Sequence, residues 1–157
     1  GASLGGMMTR PTESQLAQIA ETHQVSLVGA HTVGAPDGGP GLPGTGWSVE
    51  HGDLRVPHFI GLHALQVLPV IAVLLWWRRI DDARRARLML VAGSSYATIF
   101  LILIWQALRG QALINPDGLT LSTLTVWAAV TAGLAVWPFR PRTARPDADA
   151  TLNWINP

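Results

Sequence analysis

Cysteine and lysine are both missing from this sequence, and charge of either sign is scarce. Without thiols the chain can supply no disulfide, zinc–thiolate site, iron–sulfur cluster or cysteine nucleophile. Without lysine it has no amine for a Schiff base; all 11 basic residues are arginine, a bias that points to a GC-rich genome. Charged residues make up 13% of the chain, against roughly a quarter in ordinary soluble domains. A water-facing surface needs that charge, so the deficit argues against a soluble globule. The net charge of +1 supplies no basic face for nucleic acid, and no nucleic-acid partner is expected.

What is present is apolar sequence in long runs. Residues 58–77, 88–108 and 119–139 each reach the length of about 20 residues that a helix needs to cross a hydrocarbon core of roughly 30 Å. The second and third runs contain no charged residue; the first is broken only by His58, His63 and Gln66. Core helices of soluble proteins are seldom this apolar over such a length. The expected fold class is therefore an all-α membrane protein, with three transmembrane helices and an extracytoplasmic N-terminal segment. Its first partner is the lipid bilayer.

Arginine placement predicts the orientation. Between the first two runs stand Arg78, Arg79, Arg84, Arg85 and Arg87; between the second and third stands Arg109 alone; after the third come Arg140, Arg142 and Arg145. Arginine accumulates on the cytoplasmic side. Residues 1–57 are then outside, 58–139 form the membrane region, and 140–157 form a polar cytoplasmic tail. The expected location is the inner, cytoplasmic membrane of a bacterium. Trp76, Trp77, Trp105 and Trp137 fall near span ends, the level indoles prefer. Trp127 falls near mid-span, where packing on a helix or lipid is expected.

The N-terminal segment has its own punctuation. Thr12 followed three residues later by Gln15 fits a capping box, so residues 12–22 read as a short amphipathic helix. Residues 25–33 are β-branched enough to be extended. Residues 34–46 are rich in glycine and proline and read as loop. The opening Gly1-Ala2-Ser3-Leu4-Gly5-Gly6-Met7-Met8 lacks the basic start and continuous apolar region of a signal peptide. It reads as the end of a small-residue helix, which predicts a longer multi-pass parent of which this chain is the C-terminal part. No internal repeat is visible, so an inverted-repeat transporter made from this chain alone is not expected.

Few motifs carry chemistry. Gly39-Pro40-Gly41-Leu42-Pro43-Gly44 spells G-x-G-x-x-G, but a dinucleotide site needs a strand before it and a helix opening at its end. Two prolines and further loop rule against that, and an ordered loop over the helix ends, anchored by Trp47, is the better reading. The stretch 47–66 is richer, holding His51, His58 and His63 with Glu50, Asp53, Arg55 and Gln66. Proline favours a first helical turn, so a helix should begin near Pro57. His63 then lies about 9 Å below that start, and about 140° around the helix from His58. The two histidines are poorly placed to share a metal, whereas His63 and Gln66, three residues apart, share a face.

Polar groups inside a span usually face a bundle interior or water. Three roles for His63 stay open. One is an interhelical hydrogen bond that fixes packing. A second is an axial ligand to haem or a chlorophyll-type macrocycle, with Gln66 and His58 as the other cofactor-site candidates. The third is proton transfer or quinone binding. His51, Asp53 and His58 form a candidate outer metal set, since imidazole and carboxylate suit zinc or copper. Its competitor is Asp53 or Glu50 pairing with Arg55. His23 and His31 stand isolated. Gly93/Ala97, Ala128/Ala132 and Ala129/Gly133 are small-residue pairs that predict helix-packing faces, and Pro69 predicts a kink in the first span.

The runs His31-Thr32-Val33-Gly34, Asp37 to Pro43, and Gly52 to Gln66 together resemble a family of uncharacterised bacterial multi-pass membrane proteins, over roughly residues 30–70. The resemblance implies a longer parent with preceding spans and carries no activity to transfer. No catalytic residue is assigned. The functional expectation is a non-catalytic subunit or half-domain within a larger membrane assembly, meeting other transmembrane helices or subunits. A redox or cofactor-binding protein using His63, or half of a transporter, are the alternatives.

Overall fold

A computed structural model describes residues 1–24 and 28–137. Two short helices come first, α1 (Ala2–Met8) and α2 (Glu13–Thr22), then two-residue strands β1 (Thr32–Val33) and β2 (Gly52–Asp53). The long helices follow as α3 (Arg55–Trp77), α4 (Asp82–Leu108) and α5 (Gly118–Val136). All three are long and apolar enough to cross a membrane, and almost none of their apolar stretch is buried within the chain. The all-α class with three candidate spans therefore holds. The cytoplasmic tail expected at 140–157, the last residues of the third run and the start of the extended 25–33 stretch lie outside the described residues.

Local chemistry explains the boundaries. Thr12 and Gln15 close the reciprocal capping box at the start of α2, satisfying two orphan amides at once. α3 begins two residues ahead of Pro57, which sits in its first turn. α4 begins at Asp82, well inside the arginine-rich stretch expected to be loop. Asp81 caps it by accepting a bond from the Arg84 N–H at 2.9 Å. Arg84 and Arg85 reach back to Asp81 and Asp82 at i,i+3 spacing. Those pairs fit a helix surface, so the helix continues past the end of its apolar run. Pro69 lies inside α3, which continues unbroken to Trp77.

The three long helices form an open layer. α4 lies in the middle and packs on both α3 and α5, while α3 and α5 make no comparable contact. Polar bonds pin the layer at membrane depth. The Tyr96 hydroxyl donates to the Ile60 carbonyl at 2.6 Å, Ser95 and Thr131 share a bond of 3.0 Å, and Trp127 Nε1 donates to the Ser95 carbonyl at 3.1 Å. Trp127 thus packs on a helix. Within the chain the glycines of the small-residue pairs are open: a Cβ on Gly93 or Gly133 would meet nothing. The tight crossing is at Gly61, whose Cβ would strike Gly1 of the α1 start and the Phe100 ring, each at 2.7 Å.

Buried residues gather at one end of the layer. Leu4, Leu54, Val56, Pro57, Leu103 and Ala107 form the core there. This is the cap end, where α1 and the strands lie against the start of α3 and the end of α4. The opposite end, carrying residues 78–87, is the arginine end.

Candidate functional site: the cap and the outward seam of α3

The cap is organised by Asp53, whose side chain is 1% exposed. One carboxylate oxygen accepts from the Ser48 N–H at 2.9 Å. The Arg55 N–H and Nε donate to the other at 2.9 and 3.0 Å, and Arg55 Nη2 donates to the first at 2.6 Å. Arg55 Nη2 also reaches the Gly46 carbonyl at 2.6 Å, tying the glycine-rich loop to the helix start. This is the Asp53–Arg55 pairing that competed with the metal reading. Burial alone would raise the Asp53 pKa. The Arg55 side chain, the Ser48 and Arg55 amides and the guanidinium charge outweigh burial and hold it below the usual carboxylate range.

A second carboxylate completes the cluster. Asp37 accepts from the Thr32 N–H at 2.8 Å and the His31 N–H at 3.1 Å. Burial raises its pKa, and bonds from Thr32 and His31 with the nearby His31 ring lower it by more. His31 Nδ1 lies 3.4 Å from Asp37 and 3.8 Å from Asp53, between the two. In the sequence His31 stands isolated. Asp37, 6 residues on, meets it through the local loop, and Asp53, 22 residues away, because β1 pairs antiparallel with β2, Thr32 opposite Asp53. A cleft of about 120 Å³ opens beside the cluster, lined among others by His31, Ser48, His51 and Arg55.

The loop between the strands is ordered by its own bonds. Gly41 bridges Ser48, and the Leu42 N–H donates to the Trp47 carbonyl at 2.8 Å. No helix follows Gly44, so the G-x-G-x-x-G spelling forms no phosphate cradle. Trp47 packs edge-on against Phe59 of α3, with ring centroids 5.6 Å apart. The loop is thus anchored on the long helix by an aromatic contact.

The candidate metal residues are dispersed in role. Both Asp53 oxygens are taken by donors, and His58 Nδ1 bonds the Gly1 carbonyl at 2.9 Å, with its ring against Gly5. Among the described residues no group of three histidine or acidic side chains could hold a metal ion. His51 donates its backbone N–H to Ser48 Oγ at 3.0 Å and lines the small cleft.

His63 and Gln66 stand on a different surface. His63 Nδ1 bonds the Phe59 carbonyl at 2.8 Å, and its ring stacks on Phe59 with centroids 3.8 Å apart. A carbonyl only accepts, so Nδ1 carries the proton and Nε2 is the open acceptor. Gln66 is exposed at the midpoint of α3, with no side-chain hydrogen bond among the described residues. Spacings of four and three residues join Phe59, His63, Gln66, Val70, Val73 and Trp77 into one seam. Phe59, Val70, Val73 and Trp77 are 45–67% exposed along it. The seam points away from α4, which meets α3 near Ile60 and Gly61.

Compared with known family models, curated proteins and solved structures, the chain matches none.

Proposed function

We propose that this chain is a multi-pass membrane subunit or half-domain that packs against further transmembrane helices in a larger assembly. The observation that carries the reading is Gln66, an amide exposed at mid-span, without a hydrogen-bond partner among the described residues, on a seam that is apolar from Val70 to Trp77. An amide moved from water to hydrocarbon without a hydrogen bond loses about 4–8 kcal/mol. A neighbouring helix that offers a polar partner removes most of that penalty. The alternating four- and three-residue spacing is the knobs-into-holes pattern, and one polar group in such a seam sets register at some loss of stability. The open layer supports the same reading, since α3 and α5 each leave a face uncovered.

Orientation belongs to the proposal. Five arginines at the turn between α3 and α4, against one between α4 and α5, favour a cytoplasmic arginine end and an extracytoplasmic cap. A bacterial inner membrane is the compartment proposed.

One observation favours a second role within such an assembly. A histidine that fixes its Nδ1–H on a backbone carbonyl presents Nε2 in the tautomer metal ligation uses. His63 meets that condition, so a macrocycle bound between α3 and a neighbour is the runner-up. One preparation tests both. Extracted from its native membrane in mild detergent, the chain should elute well above its monomer mass and carry other polypeptides or further copies. A clean monomer would count against the assembly. An absorption band of a bound porphyrin would establish the runner-up, and a colourless assembly would remove it.

A further inference from the structure

The arginine end carries chemistry that the packing role does not use. Residues 78–87 hold five arginines and two aspartates, a local charge of +3. Asp81 pairs with Arg84 at 3.0 Å and Asp82 with Arg85 at 2.9 Å. Both acids are thereby engaged. Arg78, Arg79 and Arg87 have no ion-pair partner among the described residues. Arg85 also donates from Nη2 to the Ile80 carbonyl at 3.1 Å, while its Nε–H is buried with no acceptor among the described residues.

A cleft of about 460 Å³, lined by Trp76, Trp77, Arg79 and Arg85, opens at this level. Both indoles are about two-thirds exposed, at 63% and 67%. From the cleft the surface runs directly onto Val73 and Leu74 of α3, themselves 46% and 51% exposed. A ligand seated here therefore meets guanidinium groups at one end and bare aliphatic surface at the other.

That order of chemistry is the order of a phospholipid. Indoles settle at headgroup depth. Guanidinium binds phosphate oxygens through paired N–H···O bonds. A net positive juxtamembrane cluster favours lipids whose headgroup bears no compensating cation. We propose that this cleft is a binding site for the phosphate headgroup of an anionic phospholipid, held by Arg79, walled by Arg85 and flanked by Trp76 and Trp77, with acyl chains lying on α3. A soluble phosphate ester shares the headgroup chemistry but gains nothing from the aliphatic surface.

Native mass spectrometry of the full chain in mild detergent tests this, using phosphatidylglycerol and phosphatidylcholine with identical acyl chains. Phosphatidylglycerol should be retained at least fivefold better. Arg79→Gln should lower that retention about fivefold, the effect of roughly 1 kcal/mol for one arginine near a lipid surface. Arg79 makes no side-chain bond among the described residues, so this variant breaks no described side-chain contact, and circular dichroism checks the helix content. Arg10→Gln, at the cap end, should change nothing. Glycerol 3-phosphate should not compete. Equal retention of the two lipids, an unchanged Arg79→Gln variant, or full competition by glycerol 3-phosphate would each overturn the site.

Discussion

At the scale of single residues, Asp53 and Arg55 decide whether the cap stays on the helices. The carboxylate is 1% exposed and takes donors from Ser48 and from both the backbone and side chain of Arg55. Asp53→Asn keeps the shape and removes the charge, leaving a partly buried guanidinium without its partner. The expected loss is roughly 2–4 kcal/mol, read as faster hydrogen exchange of amides 48–55 with no change in α5. The pH dependence has a definite sign. The folded pKa values of Asp53 and Asp37 lie below their ordinary 3.8. The stability they give is complete above that value and is lost as pH falls through the folded values. Cap protection, corrected for intrinsic exchange, should be flat from neutrality to about pH 4 and fall below it. A decline beginning near pH 6 would instead implicate a histidine.

At the scale of elements, the strand pair meets α4 through a glycine. A Cβ at Gly52 would lie 1.9 Å from the Ala107 carbonyl oxygen. That is backbone against backbone, so neither side can yield cheaply. Gly52→Ala should separate β2 from the end of α4 and lower the thermal midpoint, with a penalty of at least 1–3 kcal/mol. Gly93→Ala, where an added Cβ meets nothing, should leave the midpoint within experimental error. The same elements show what the sequence could and could not reveal. The long spans and the Thr12 capping box were legible because length, apolarity and cap spacing are local properties. The start of α4 is hidden because a charged stretch reads as loop, although Asp81, Asp82, Arg84 and Arg85 support one another on a helix. The Asp53–Arg55 bond was legible as a competitor to metal binding. The His31 contacts were not, because no local spacing records that residue 32 will stand opposite residue 53. The small-residue pairs mark where a close crossing is permitted; within the chain the close approach is at Gly61.

At the scale of the whole molecule, the layer is closed at one end and bare along its length. The cap end holds the buried core, with Leu54, Val56 and Ala107 all under 9% exposed. The long helices, by contrast, leave nearly all their apolar surface to the surroundings. Lipid suits most of that surface, and the Gln66 amide is where it does not. The absence of cysteine makes the chain convenient for site-specific labelling, because any thiol introduced is unique. The most direct measurement is photo-crosslinking in native membranes from a probe at position 66, beside one at Leu101, an exposed apolar residue of α4. Position 66 should yield a discrete protein adduct and position 101 mainly lipid. Lipid adducts alone from position 66 would contradict the proposed assembly.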